Sequence, residues 1–115
     1  VCDWSDLEEC LLVNAVELSP LWALAPDCSR SDDEADWPPY VERLKPLIAA
    51  WVRAGRIALW RGPEWPAFEG GHRVSIEDVD AVLSDDEFWT YRESATVVVH
   101  LELLVETDRI RPPLG

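Results

Sequence analysis

The chain of 115 residues carries ten Lys and Arg against 23 Asp and Glu, a formal net charge of −13, and 48% of its residues are apolar. That length suits one domain spanning residues 1–115, and an apolar fraction containing seven Trp supplies a core and argues against disorder. No apolar run reaches bilayer-spanning length and the first residues show no basic leader with an apolar core, so a cytoplasmic protein is expected.

The charge is unevenly spread. Residues 1–36 hold ten acids and only Arg30, residues 37–75 hold three acids and six bases, and residues 76–115 hold ten acids and three bases. The bases of the middle segment are expected to neutralise neighbouring carboxylates rather than to meet nucleic acid.

Ser5 followed by Glu8 is a capping-box pattern and predicts a helix from about Asp6 to Ala15, with Leu7, Cys10, Leu11 and Ala15 inward. Val16 to Leu18 reads as a short strand or tight linker. Ser19 and Pro20 then start a second apolar turn or helix through Leu21, Trp22 and Leu24 that Pro26 ends. The segment CSRSDDEADWPP, Cys28 to Pro39, reads as an acidic surface loop with one helical turn near Ser31 and Glu34 and with Trp37 anchoring its end against the body.

The segment YVERLKPLIAAWVRAGRIALWRG, Tyr40 to Gly62, organises the rest. Val41, Leu44, Ile48, Trp51 and Val52 recur at three- and four-residue steps, the spacing of one buried helical stripe, and the interior Pro46 is expected to kink the helix or reset its first turn. Gly55 supplies the left-handed residue that closes it, and Arg56 to Trp60 alternates as a strand does. Arg61 to Arg73 is a Gly- and Pro-rich connection carrying Trp65 and Phe68. Ser75 with Asp78 starts a short helix through Ile76, Val79, Val82 and Leu83, and Ser84 with Glu87 starts a fresh turn through Phe88 and Trp89. Thr96 to Glu106 is the clearest strand. Val97, Val99, Leu101, Leu103 and Val105 take one face, and the strand is expected to pair antiparallel with Arg56 to Trp60.

Trp22, Trp51, Trp60 and Trp89 lie within apolar patterns and are expected in the core. Cys2, Cys10 and Cys28 are an odd set without CxxC spacing, so neither a disulfide framework nor a zinc site is expected, and three reduced thiols are. His72 and His100 have no partner at a metal-ligand spacing, and His100 is expected to pair with Glu102 on a surface strand face. Asp78, Asp80, Asp85, Asp86 and Glu87 are read as a solvated helical face, since DVDAVLSDDE lacks the Gly of a calcium loop. No nucleophile elbow, phosphate loop or dinucleotide fingerprint is present, so neither an enzyme nor a cofactor is expected.

Three helical segments, the helix–Gly–strand joint WVRAGRIALW, a connection and a final strand form an order that resembles a winged helix-turn-helix domain. The resemblance implies an α+β, winged-helix-like fold with helices on a small antiparallel sheet, and in that family the third helix enters the DNA major groove. Ser75 to Trp89 departs from the pattern by placing helix where a simple wing would be. As a DNA-binding regulator the chain would contact phosphates through Arg43, Lys45, Arg53, Arg56, Arg61 and Arg73.

The favoured expectation is different: a non-enzymatic protein that binds a basic protein partner, such as an immunity or antitoxin-like inhibitor of a nuclease. Asp32, Asp33, Glu34 and Asp36 in the loop and Asp85, Asp86 and Glu87 in the turn would supply charge, with Trp37 or Trp65 as anchor. A homodimer formed by pairing an exposed strand edge is the remaining alternative.

Overall fold

The structure is a computed structural model that describes residues 6–63, 70–89 and 97–105. Helix α1 is Asp6–Val16 and opens with Asp6, Glu8 and Glu9, whose charges oppose the positive end of the helix dipole. Ser5 lies outside the described residues. Leu7, Leu11, Leu12 and Ala15 turn inward with Asn14 among them. Leu18 takes a positive φ of 60°, and Ser19 N donates to Asn14 O at 2.9 Å, which closes the helix in one tight turn rather than a strand.

Helix α2 is Leu21–Ser29. Pro26 sits inside it instead of ending it, because a proline at the sixth position forfeits one backbone bond while the next turn still closes. Arg30, at φ 56°, is the left-handed cap, and its N–H donates to Pro26 O. Asp33 then caps a 3₁₀ turn, Glu34–Asp36.

Helix α3 is Pro38–Arg53, an unbroken assignment through Pro46, with Leu44, Ile48, Ala49, Trp51 and Val52 buried. Gly55 at φ 74° turns the chain out of it, and strand β1 follows at Ile57–Gly62. Strand β2, His72–Arg73, pairs antiparallel with β1 through Trp60↔Arg73 and Arg61↔His72. This strand falls where the sequence predicts only a connection, since two residues are too few to show alternation. A 3₁₀ turn Ile76–Asp78, helix α4 at Val79–Leu83 and a second 3₁₀ turn Asp86–Trp89 lead to strand β3, Val98–Leu103.

The fold is α+β. The sheet order is β2-β1-β3, with β3 antiparallel to β1 from Ile57↔Leu103 to Gly62↔Val98, as the alternation predicts. The free side of β3 is met by a single bridge, Pro20↔His100, and Leu101 N donates to Ser19 O at 3.0 Å. Helices α1, α2 and α3 pack on the sheet and on each other, α4 packs on α3, and Asp86–Trp89 packs on α2. Leu11, Leu24, Leu44, Ile48, Leu59 and Leu101 are fully enclosed between these layers. Trp51 and Trp89 belong to this core, whereas Trp22 and Trp60 are half-buried. Among the described residues no helix is long and apolar enough to cross a membrane.

Two expectations are corrected. Cys10 of α1 and Cys28 of α2 are joined as a disulfide with their Cα atoms 5.9 Å apart, because packing α1 on α2 brings together positions with no motif spacing. His100 is fully buried rather than on a surface face, since its sheet face is closed over and its strand is bridged by Pro20.

Candidate functional site

The acidic loop is built from short polar contacts. Ser31 Oγ donates to Asp36 Oδ2 at 2.6 Å and accepts from Asp33 N at 3.1 Å, while Asp33 Oδ1 accepts from Ala35 N at 2.9 Å. Trp37 Nε1 donates to Ser31 O at 2.8 Å, so this indole pins the loop's two ends together. Asp32, Asp33, Glu34 and Asp36 are all exposed, and the carboxylates of Asp32 and Glu34 have no partner among the described residues. Asp33 and Asp36 hold the loop's shape, which leaves Asp32 and Glu34 as its open charges.

The acidic turn follows α4. Asp85 Oδ1 accepts from Glu87 N at 3.0 Å, and Trp89 Nε1 donates to Leu83 O at 2.8 Å from within the core. The turn is thus held from below by a buried Trp while Asp85, Asp86 and Glu87 stand exposed. The loop rests on α3 and the turn on α2, so separate supports present the two groups of carboxylates. Trp65, the second anchor expected from the sequence, lies outside the described residues.

The middle-segment bases are largely engaged. Arg53 Nη2 lies 2.7 Å from Asp80 Oδ2, and Lys45 Nζ lies 3.2 Å from Glu42 Oε1. The Arg61 guanidinium sits 5.3 Å from the Phe88 ring centroid, and that of Arg56 lies 6.0 Å from the Trp51 centroid, the outer limit of a cation–π contact. Arg43 and Arg73 are exposed without a carboxylate partner among the described residues. The outward stripe of α3 runs through Arg43, Pro46, Ala50 and Arg53. Pro46 and Ala50 offer no side-chain donor or acceptor to a base edge.

Open clefts lie between the described elements. One of about 380 Å³ is lined by Arg61 and His72 from the sheet and by Asp78, Asp85 and Phe88 from the α4 region. Another of about 350 Å³ lies between α3 and α4 around the Arg53–Asp80 pair. A third, of about 620 Å³, lies among α1, α2 and the start of α3, and its lining includes Cys10, Asp27, Cys28, Arg30, Tyr40 and Arg43. Beside it Asn14, 3% exposed, donates through Nδ2 to Cys10 O and to Asp27 Oδ2, each at 2.8 Å. Sequence reading missed this group. The available signal was a polar Asn14 on the buried stripe of α1, one turn after Cys10.

His100 Nδ1 lies 3.1 Å from Leu101 O, and burial lowers its pKa below the usual 6.5 against the raising influence of that carbonyl and of Glu102. Trp60 Nε1 donates to Glu102 Oε1 at 3.2 Å, so this carboxylate is shared with the indole. No cluster of three or more His, Cys, Asp or Glu suited to a metal ion occurs among the described residues. No family model, curated protein or solved structure matches the chain.

Proposed function

We propose that the chain is a small acidic, non-enzymatic protein that binds a basic protein partner, with an immunity or antitoxin-like inhibitor of a nuclease as the concrete form. One observation carries this reading. Lys45 and Arg53 are paired with Glu42 and Asp80 and only Arg43 and Arg73 of the middle segment stand exposed without a carboxylate or ring contact, whereas Asp32, Glu34, Asp86 and Glu87 are exposed with no cation in reach among the described residues. An approaching macromolecule therefore meets carboxylates first, and a cationic partner is drawn in faster than a neutral one.

The test is association with a panel of basic nucleases, read both as binding and as loss of nuclease activity. Neutralising the loop (Asp32→Asn, Asp33→Asn, Glu34→Gln) or the turn (Asp85→Asn, Asp86→Asn, Glu87→Gln) is expected to slow association by about tenfold with little change in dissociation. Association rates unchanged in both variants remove the reading.

A winged-helix DNA-binding regulator is the second reading, and the element order favours it: α1, the Pro20 bridge, α2, α3, then β1 and β3 antiparallel. On that reading Arg43 and Arg73 remain free for phosphate, and α4 sits as an insertion between the two long strands.

The expected cytoplasmic setting would keep cysteines reduced. The Cys10–Cys28 bridge favours instead an oxidising compartment or a thiol pair that cycles.

A further inference from the structure

The Cys10–Cys28 bridge lies in the wall of the 620 Å³ cleft, and both cysteines are half-buried, so a small thiol has a path to it. The two sulfurs are not equivalent. Cys10 Sγ lies 3.5 Å from Asn14 Nδ2 and 3.4 Å from Asp27 Oδ2. No comparable polar contact reaches Cys28 Sγ among the described residues. Asn14 spends both of its Nδ2 hydrogens on Cys10 O and Asp27 Oδ2, which fixes the Asp27 carboxylate beside the Cys10 sulfur.

We propose that Cys10–Cys28 is an exchange-competent disulfide, opened by a low-molecular-weight thiol that reaches it through the cleft. The incoming thiolate forms a new S–S bond to one of the two cysteines as the Cys10–Cys28 bond breaks, and the electron pair goes to the sulfur of the other, which takes a proton from solvent. Once protonated from solvent, the Cys10 thiol donates to Asp27 Oδ2. A second thiolate attacks the small molecule's own sulfur in the mixed disulfide and releases the cysteine that held it. The balance is two small thiols oxidised to one small disulfide and one protein disulfide reduced to two thiols.

Charge selects among thiols. Asp6, Glu9 and Asp27 outnumber Arg30 and Arg43 in the cleft lining, on a chain of net charge −13. A cationic thiol is therefore favoured over an anionic one at low salt. Opening removes the covalent tie between α1 and α2 but leaves their apolar contacts, so the reduced chain remains folded.

The experiment uses the full oxidised chain under native conditions with millimolar 2-mercaptoethanol, acid quenching, alkylation and peptide mass mapping. The count of free thiols is expected to rise from one to three, and early quenches are expected to carry a mixed disulfide on one cysteine of the bridge and the alkyl label on the other. Cysteamine is expected to open the bridge several-fold faster than glutathione at low salt, with the gap closing as salt is raised. A bridge that opens only in denaturant, or three free thiols in the chain before reductant is added, overturns the proposal. Equal rates for cysteamine and glutathione overturn the selection by charge.

Discussion

Arg53 Nη2 stands 2.7 Å from Asp80 Oδ2, which ties the last turn of α3 to α4 across 27 positions of sequence. One of the two arginines on the outward face of the central helix is thereby turned toward a carboxylate of its own chain. Its side chain is 51% exposed and that of Asp80 is 69% exposed, so water screens the pair heavily. What the contact governs is where charge points more than how firmly α4 is held.

A double-mutant cycle on Arg53→Ala and Asp80→Ala is expected to give a coupling of about 0.2–1 kcal/mol at low salt, vanishing in molar salt. Urea unfolding of the four proteins measures it. A coupling above about 2 kcal/mol would show a more enclosed pair than the exposures allow.

Reducing Cys10–Cys28 releases a loop closed by residues 18 apart in sequence. In the chain-entropy picture that costs about 3 kcal/mol of stability and lowers Tm by roughly 10 °C or more. The comparison is a thermal melt of oxidised and reduced chain in otherwise identical buffer. Coincident melts would mean the bridge constrains nothing that α1–α2 packing does not already constrain.

Gly55 adopts φ 74°, and a Cβ placed there meets nothing within 4 Å. The cost of Gly55→Ala is therefore purely one of backbone conformation, about 1–2 kcal/mol. Urea midpoints at fixed m-value read it directly. No loss of stability would mean that the joint between α3 and β1 does not require the left-handed region.

His100 is fully buried, and its pKa is lowered below 6.5 chiefly by desolvation. An unfolded chain titrates this ring near 6.5, so between the two pKa values the unfolded state holds more protons and stability rises with pH. The contribution is complete above about pH 6.5 and is lost as pH falls toward the folded-state pKa. An NMR titration of the ring is expected to place its midpoint below 6.5, and a midpoint at or above 6.5 contradicts the burial argument.

The joint of α3 and β1 was legible because two local signals coincide there: a helical period ending at Val52 and a glycine at position 55. Strand β3 was legible because five apolar residues alternate without a break. Other features depend on what lies across the fold. His100 occupies the face that alternation assigns to it, but alternation says nothing about whether that face is covered. Cys10 and Cys28 meet only because α1 packs on α2, and β2 exists only because β1 offers it an edge. Trp37 was expected to anchor the end of the acidic loop against the body, whereas its indole N–H is committed to Ser31 O inside the loop.

The most direct measurement is a side-by-side titration of the full chain against double-stranded DNA and against a basic nuclease, at low and at physiological salt. Saturable binding of the nuclease with no retention of DNA is the expected result for a surface led by Asp32, Glu34, Asp86 and Glu87. DNA binding that weakens steeply with salt, with no binding of the basic protein, would contradict it.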